Sequence, residues 1–450
     1  MASPLTKRIQ ILIWISKAFI SKHAKLLILS LVLGIGGFLI VFKLLPYLPE
    51  PKKHYRIGLV GKFSLDQLPQ DIEGKLSRGL TSVNEEGLPI PDVAEDWEIS
   101  DDGLTYTFSL KNNVYWQDGA LLKAQDISYS FKDVEVNPLS EDILTFKLKE
   151  PYTPFLVALG KPIFKDNLVG TGKYHIERLK KSGDYLEAIT IDSKDNKITY
   201  KFYPTLEMAT LSFQLGEIDI LDNLFTNPLD ESWDKFIKVE ELVKKDRYIA
   251  LFFNNTDNFL GSKEFRQGLA YALLVKPDDN SRAYGPLNPN SWAYNSDIKE
   301  YNYDEEKAKN IFEKFTKDNE EINIRISTSE SFLSLAEEIK KDWERVLGIK
   351  VSVELINAFT SDYQVFLGIQ EIPIDPDQYS LWHSTAIENI TNFNDPRVDK
   401  LLEDGRKITN LDTRKEKYAD FQRFLLEESP VAFLFYPSIY KISRSTVGSP

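Results

Sequence analysis

The clearest architectural signal in the chain lies between Ile322 and Leu355. Three isoleucines from Ile322 to Ile326 alternate with polar residues, which is the period-two pattern of a half-buried strand. Apolar residues then recur at helical spacing up to Gly348, and a second alternating strand begins at Ile349. This order predicts a βαβ unit with parallel strands and a right-handed crossover. The pattern therefore predicts an α/β fold.

A second regular segment runs from Asp92 to Val134. Apolar and polar residues alternate from Leu104 to Leu110, so this stretch is predicted to be a strand. Asp126 precedes apolar residues at helical spacing and is predicted to cap a helix that reaches Val134. The pattern alone predicts a small α+β unit and indicates no function.

Charge and cysteine content exclude several classes of protein. The 450 residues are enough for two or three domains, and the absence of cysteine leaves no disulfide and no thiolate metal site. The net charge is −13; residues 1–49 carry six cations and no acid, so the remaining 401 residues sum to −19. Such an acidic body argues against nucleic-acid binding, which needs a basic surface.

An apolar run from Leu26 to Leu45, interrupted only by Lys43, is long enough to cross the roughly 30 Å core of a bilayer. Five cations precede it, which predicts a cytoplasmic N-terminus and an exported body. A cleaved signal peptide is the alternative, but no small-residue cleavage site follows. We predict a cytoplasmic segment over 1–25, an uncleaved, single-pass transmembrane signal anchor over 26–45 and a proline-rich stalk over 46–55. The predicted location is the cell membrane, with the body periplasmic or at the cell surface.

The segment from Asp92 to Val134 also resembles the hallmark of the family 5 extracellular solute-binding proteins, the oligopeptide, dipeptide and nickel receptors of ABC importers. The matching residues are Ala94-Glu95-Asp96-Trp97, Asp102-Gly103-Leu104-Thr105-Tyr106-Thr107-Phe108-Ser109-Leu110, Trp116-Gln117-Asp118-Gly119, Ala124-Gln125-Asp126 and Ser130-Phe131. The resemblance covers about residues 56 to 447. Two departures stand out: the family's lipidated cysteine is absent, and the connection from Val134 to Ile143 is shorter than in typical members.

The resemblance implies a two-lobed periplasmic-binding-protein fold of type II, in the peptide-receptor subclass with an extra small domain. Lobe I would comprise 56–82, 166–248 and 431–450, the small domain 83–165, and lobe II 249–430. A peptide or other small solute would be trapped between the hinged lobes of a monomer and delivered to ABC permease subunits. The resemblance implies no cofactor, no metal and no enzymatic activity.

In peptide-binding members, a carboxylate in a loop of the second lobe pairs with the ligand's α-amino group. The resemblance places that loop at residues 371–379, with Asp375 as the best match and Asp377 as the next residue to test. The Asp375-Pro376-Asp377 sequence is also ordinary turn chemistry, and we expect the loop to lie outside the core.

Nearby aromatic and imidazole side chains would offer walls for a ligand, although each of them could equally belong to the core. These candidates are Tyr379, Trp382, His383, Trp292 and Tyr294.

Enzyme motifs are lacking: the four histidines are scattered, and no His-x-x-x-His pair or Gly-x-Ser-x-Gly elbow occurs. Two other functions remain open. The chain could be a degenerate family member that acts as a surface interaction or sensor protein without transport, or an exported hydrolase.

Overall fold

The computed structural model describes residues 4–44, 52–165, 168–277, 279–316 and 321–446. The chain divides into two compact units, Met1–Lys53 and His54–Pro450. Each unit is described by itself.

Within the first unit, residues Pro4–Leu44 form helix α1. Among the described residues, no single helix is long and apolar enough to cross a membrane; the segments Ile13–Leu26 and Ile28–Leu39, which meet at 61°, satisfy that criterion only together. The single transmembrane helix predicted over 26–45 is therefore not supported as such. Its last residue, Leu45, and the prolines of the predicted stalk lie outside the described residues.

The second unit mixes strands and helices. The strands are β1 (Lys53–Val60), β2 (Thr81–Val83), β3 (Pro89–Pro91), β4 (Ala94–Ile99), β5 (Thr105–Leu110), β6 (Val134–Pro138), β7 (Ile143–Leu148), β8 (His175–Ser182), β9 (Tyr185–Asp192), β10 (Asn196–Tyr203), β11 (Ile220–Leu224), β12 (Ile237–Val243), β13 (Arg247–Phe253), β14 (Asn323–Thr328), β15 (Lys350–Leu355), β16 (Val365–Glu371), β17 (Val431–Phe435) and β18 (Ser438–Arg444). The helices are α2 (Gln70–Leu76), α3 (Phe155–Ala158), α4 (Leu206–Gln214), α5 (Lys263–Tyr271), α6 (Glu305–Thr316), α7 (Leu333–Leu347), α8 (Tyr379–Trp382), α9 (Pro396–Gly405) and α10 (Leu411–Glu428).

Two large sheets organise this unit, and we call the halves that they build the first lobe and the second lobe. The first lobe has a seven-stranded sheet in the order β12-β18-β11-β1-β10-β9-β8, and the second a five-stranded sheet in the order β15-β14-β16-β13-β17. Strand β13 is buried on both faces, because Ile249, Leu251 and Phe253 join one core cluster while Tyr248 and Phe252 join the other. Burial on both sides explains why its sequence is continuously apolar after Arg247.

The predicted βαβ unit is confirmed in the second lobe. Strands β14 and β15 pair in parallel, with Ile324 opposite Val351, and α7 connects them. The helix ends at Gly348, whose φ of +67° lies in the left-handed region that glycine adopts at little cost.

Two neighbouring strand crossings connect the lobes. The chain passes from β12 to β13 and returns from β17 to β18, and the Lys244 N–H donates to the Pro437 carbonyl at 2.9 Å between the two crossings. The predicted assignment of 431–450 to lobe I is wrong for its first part. Strand β17 pairs with β13 in the second lobe, and only β18 joins the first lobe. Strand β17 lies at one edge of the five-stranded sheet, and its first four residues are buried, which fits its apolar sequence.

A smaller four-stranded sheet, in the order β4-β5-β7-β6, forms the small domain. The helix predicted from Asp126 to Val134 is wrong. The Asp126 carboxylate accepts the Lys123 N–H at 3.0 Å and closes a short 3-10 turn, and Asp133 has a φ of +64° that breaks any helix there. Val134 begins β6 and pairs with Leu148.

Candidate functional site

The loop that was predicted to face the ligand lies beside the crossings that connect the lobes. It follows β16, and the Ile372 N–H donates to the carbonyl of Asp246, which lies between β12 and β13, at 2.8 Å. Gln378 is fully buried; it donates to the Pro286 carbonyl at 3.2 Å and accepts the Trp382 indole N–H at 3.0 Å. The loop is therefore anchored at both ends.

Asp375 forms a buried ion pair with Arg414 of α10. Two guanidinium nitrogens donate to the carboxylate, Nη2 to Oδ1 at 2.6 Å and Nη1 to Oδ2 at 3.0 Å. Oδ1 also accepts the Asp377 N–H at 2.9 Å. Asp375 is only 7% exposed, so the expectation that this loop lies outside the core is wrong. A buried carboxylate needs a paired cation, and Arg414 supplies it from within the chain.

Asp377 forms a second pair, with Arg406 just beyond α9. Arg406 Nη2 donates to Asp377 Oδ2 at 2.9 Å. Burial raises the pKa of Asp377, and the charge of Arg406 acts in the opposite direction. The Arg406 guanidinium also lies over the ring of Tyr379 at 4.2 Å and over that of Tyr152 at 5.0 Å, within the range of cation–π attraction.

Arg406 marks a contact between the small domain and the second lobe. The Thr153 N–H donates to the Arg406 carbonyl at 2.8 Å, and the Thr153 hydroxyl donates to the Ile408 carbonyl at 3.0 Å. On the other side of the loop, the Trp292 N–H donates to the Glu86 carbonyl at 3.0 Å. The predicted ligand loop thus lies beside two contacts, one between Thr153 and Arg406 and one between Glu86 and Trp292.

The structure gathers most of the predicted site residues into two groups. Arg414 lies over the ring of Trp292 at 5.3 Å, which joins Trp292 to Asp375. Tyr379 stacks on His383 with ring centroids 4.0 Å apart, which joins both to Arg406 and Asp377.

Tyr294 is not part of either group. Burial raises its pKa, and the charges of its neighbours Glu300 and Tyr284 raise it further. Trp292 and Trp382 are both buried within the apolar core of the second lobe, so their role in binding a ligand stays a prediction.

Sequence reasoning missed Arg406, Arg414 and Tyr152. The only sequence signal for the two arginines was a pair of loop carboxylates with no cation next to them in the chain, since buried anions require partners. The partners come from residues some 29 and 39 positions away in the chain, which no local pattern identifies.

In the part of the chain that the structure describes, no group of three or more histidine, aspartate or glutamate side chains is arranged to hold a metal ion.

Comparison with known proteins gives a consistent result. The sequence model described as bacterial extracellular solute-binding proteins, family 5, middle region, matches residues 89–389. The oligopeptide-binding protein AppA of Bacillus subtilis is 23% identical over 467 residues, covering 84% of this chain and 83% of AppA.

Solved structures agree in fold. NikZ from Campylobacter jejuni, in complex with Ni(L-His), is 25% identical, covers 89% of this chain and 95% of its own, and has a TM-score of 0.70. The ABC transporter substrate-binding protein CtaP from Listeria monocytogenes is 20% identical, covers 89% and 96%, and has a TM-score of 0.75.

Proposed function

The chain belongs to the family 5 bacterial extracellular solute-binding proteins, and from this membership we propose that it captures peptides, or a similar small solute, between its two lobes and delivers them to an ABC import permease. The paired strand crossings carry the proposal. Two adjacent connections pass between the same two sheets, and the Lys244–Pro437 hydrogen bond joins them. This is the arrangement expected of a hinge between two lobes.

Peptides are the proposed ligand class because of the relatives. Proteins named for oligopeptide, dipeptide and di/tripeptide binding each align with at least 80% of this chain. Relatives named for heme or for nickel also occur, so the family membership alone does not select the ligand.

Asp375 remains the proposed partner of the ligand's α-amine, with one condition that the structure adds. A carboxylate has about four accepting positions, and three are occupied by Arg414 and the Asp377 N–H. An amine would therefore share Asp375 with Arg414 at Oδ2. Tyr379 and His383 would provide the adjoining wall.

We further propose that the protein is held in the cell membrane by α1, with the N-terminus cytoplasmic and the body outside. The support is the apolar sequence after five cations, and the bent pair of segments that together are long enough to span.

Binding of small molecules tests the proposed function directly. Mass spectrometry of compounds released on denaturing the full-length protein should show peptides, and calorimetry with synthetic di- to pentapeptides should show saturable binding. The proposal would be contradicted if no peptide were released and no peptide bound.

The amine contact is tested by a cycle of Asp375→Asn and N-acetylated peptide. Breaking a buried charged contact costs about 2–5 kcal/mol, so each change alone should weaken binding roughly 30-fold or more. If the two act on one contact, both changes together cost no more than one. If their costs add, the amine binds elsewhere, and Asp377→Asn is the next variant.

A further inference from the structure

The two edge strands of the seven-stranded sheet differ in how they are protected from further pairing. The sheet ends in β8 on one side and in β12 on the other. Strand β8 carries Arg178, Lys180 and Lys181, and its pairing with β9 shifts register twice; both features discourage the addition of another strand. Strand β12 pairs with β18 over seven consecutive residues without a shift. Since no described strand pairs with its outer side, β12 presents a regular, open edge.

The backbone of β12 directs half of its hydrogen-bonding groups outward. The Phe236 carbonyl, just before β12, and the Lys244 N–H, just after it, both hydrogen-bond to residues that flank β18. Hydrogen-bonding direction alternates along an antiparallel strand, so the even-numbered residues bond towards β18. The N–H and C=O groups of Ile237, Val239 and Glu241 therefore point away from the sheet.

The side chains along this edge are exposed. Phe236 is 62%, Leu242 58% and Val239 40% exposed. Between Phe236 and Leu242, Lys238 Nζ and Glu240 Oε1 form an exposed ion pair at 2.5 Å. Alternate residues of a strand point to the same side, so the even-numbered residues share one face in the order apolar, cation, anion, apolar. This order is complementary to itself when it is read in the opposite direction.

We propose that two copies of this chain associate through β12, which pairs in antiparallel orientation with β12 of the second copy. The two-fold axis passes beside Val239, so this residue lies opposite Val239 of the second copy. Phe236 then lies opposite Leu242 of the second copy, and Lys238 lies opposite Glu240 of the second copy. The symmetry makes each of these contacts occur twice. Such strand addition joins the two seven-stranded sheets into one continuous sheet.

Charge selects this register over its neighbours. The outward-pointing groups of the two strands meet again only after a displacement by two residues. Displacement in one direction places Glu240 opposite Glu240 of the second copy, and displacement in the other places Lys238 opposite Lys238. Like charges directly opposite each other are destabilising. In the proposed register the outward groups of Ile237 meet those of Glu241, and about six hydrogen bonds form between the copies.

The backbone hydrogen bonds and the contact of Phe236 with Leu242 hold the two copies together, since exposed ion pairs add little energy. The ion pairs act mainly against the other registers. The dimer departs from the monomer that the family resemblance implies, and it does not rest on the proposed ligand.

Single cysteines test the pairing, since the chain has no native cysteine. Full-length Val239→Cys and Glu241→Cys proteins in detergent micelles are oxidised mildly, and the disulfide-linked dimer is followed on non-reducing gels. Both positions are exposed and lie on the same face of β12, so Glu241→Cys is a matched control. In the proposed register the two cysteines at 239 lie directly opposite each other, within disulfide reach. Those at 241 lie four residues apart along the strands, about 13 Å.

We expect cross-linking to be about tenfold faster at position 239 than at 241. Equal rates, including no cross-linking at either position, or a faster reaction at 241 would overturn the proposal.

Charge reversal in the Val239→Cys protein tests the register. Lys238→Glu should slow cross-linking about fivefold, because it places two acidic side chains opposite each other on both sides of the axis. Lys238→Glu/Glu240→Lys brings opposite charges together again in the proposed register and should restore the rate. A rate that Lys238→Glu leaves unchanged, or that the double reversal fails to restore, would contradict the pairing.

Discussion

The buried pair of Asp375 and Arg414 is the strongest residue-scale constraint in the second lobe. Taking two charges out of water is costly, and their attraction offsets that cost only while both are present. The side chains are 9% and 5% exposed, so neither charge can turn to solvent when its partner is removed.

We predict that Asp375→Asn lowers the free energy of unfolding by about 3–5 kcal/mol, because it leaves Arg414 buried without a counter-charge. Urea denaturation measures the change. The control is Glu240→Gln, which breaks an exposed pair with Lys238 and should cost less than about 1 kcal/mol. Equal losses in the two variants would show that Asp375 is solvated in solution.

Burial raises the pKa of Asp377 and Arg406 opposes that rise, which gives a pH-dependent prediction. Arg406→Gln should raise this pKa further. When the pKa of a carboxyl is higher in the folded than in the unfolded protein, the folded protein loses stability as pH rises from the unfolded pKa to the folded pKa. The difference in melting temperature between wild type and the less stable variant should therefore be larger at neutral pH than at a pH under 3.8, the ordinary pKa of an aspartate carboxyl. Arg406→Lys keeps the charge and should show a smaller pH dependence; the same deficit at both pH values would contradict the assignment.

The pairing at this site was not predictable from the sequence. The resemblance selected Asp375, and after it Asp377, as the carboxylate that pairs with a ligand amine, which stays a prediction, and the turn sequence around them suggested an exposed loop. Burial came from tertiary packing of α10 against that loop, and only the fold brings Arg414 there.

At the scale of elements, a small ionic network joins α6 to α7. Glu305, in the first turn of α6, binds Lys309 at 2.6 Å, accepts the Tyr303 hydroxyl at 2.7 Å and binds Arg345 of α7 at 3.1 Å. The hydrogen bond from Lys309, followed by that from Tyr303, lowers the pKa of Glu305 to about 2.

The lowered pKa of Glu305 determines how the stability of the fold changes with pH. A carboxyl with a lowered folded pKa stabilises the fold above its unfolded value of 4.5, and that contribution is lost as pH falls from 4.5 towards 2. Glu305→Gln should make the melting temperature less acid-sensitive in this window, and added salt should weaken the effect because the group is solvated. Glu306→Gln, in the same helical turn, should leave the acid sensitivity as it is in wild type; a matching change there would implicate the helix terminus instead of the network.

Elements with a long periodic pattern were predictable, as β14, α7 and β15 show. The stretch after Asp126 was not, because three apolar residues at helical spacing, Ile127, Phe131 and Val134, also fit a turn followed by the start of a strand. This stretch continues into a strand because Val134 and Val136 pair with β7, a contact between strands that local periodicity does not encode.

At the scale of the whole second unit, two sheets and one pair of crossings define how it can move. The segments between β12 and β13 and between β17 and β18 lie side by side, so a rotation of one lobe changes few dihedral angles. Sequence resemblance predicted the two-lobed plan but placed the return crossing too early, at 430, because the apolar run of β17 is compatible with either sheet. The contact of Thr153 with Arg406 adds a link that has to adjust if the second lobe moves relative to the small domain.

The central claim is that a solute is captured by movement of the two lobes. Ser182→Cys in β8 and Ser334→Cys in α7 place one spin label on each lobe at exposed positions of a chain without cysteine. Ser182→Cys with Phe225→Cys places both labels on the first lobe as a control. Electron–electron distance measurements on the full-length protein, without and with synthetic di- to pentapeptides, should show a displaced and narrower distribution for the first pair and no change for the second. An unchanged distribution for the pair across the lobes, at peptide concentrations that saturate binding in calorimetry, would contradict the account.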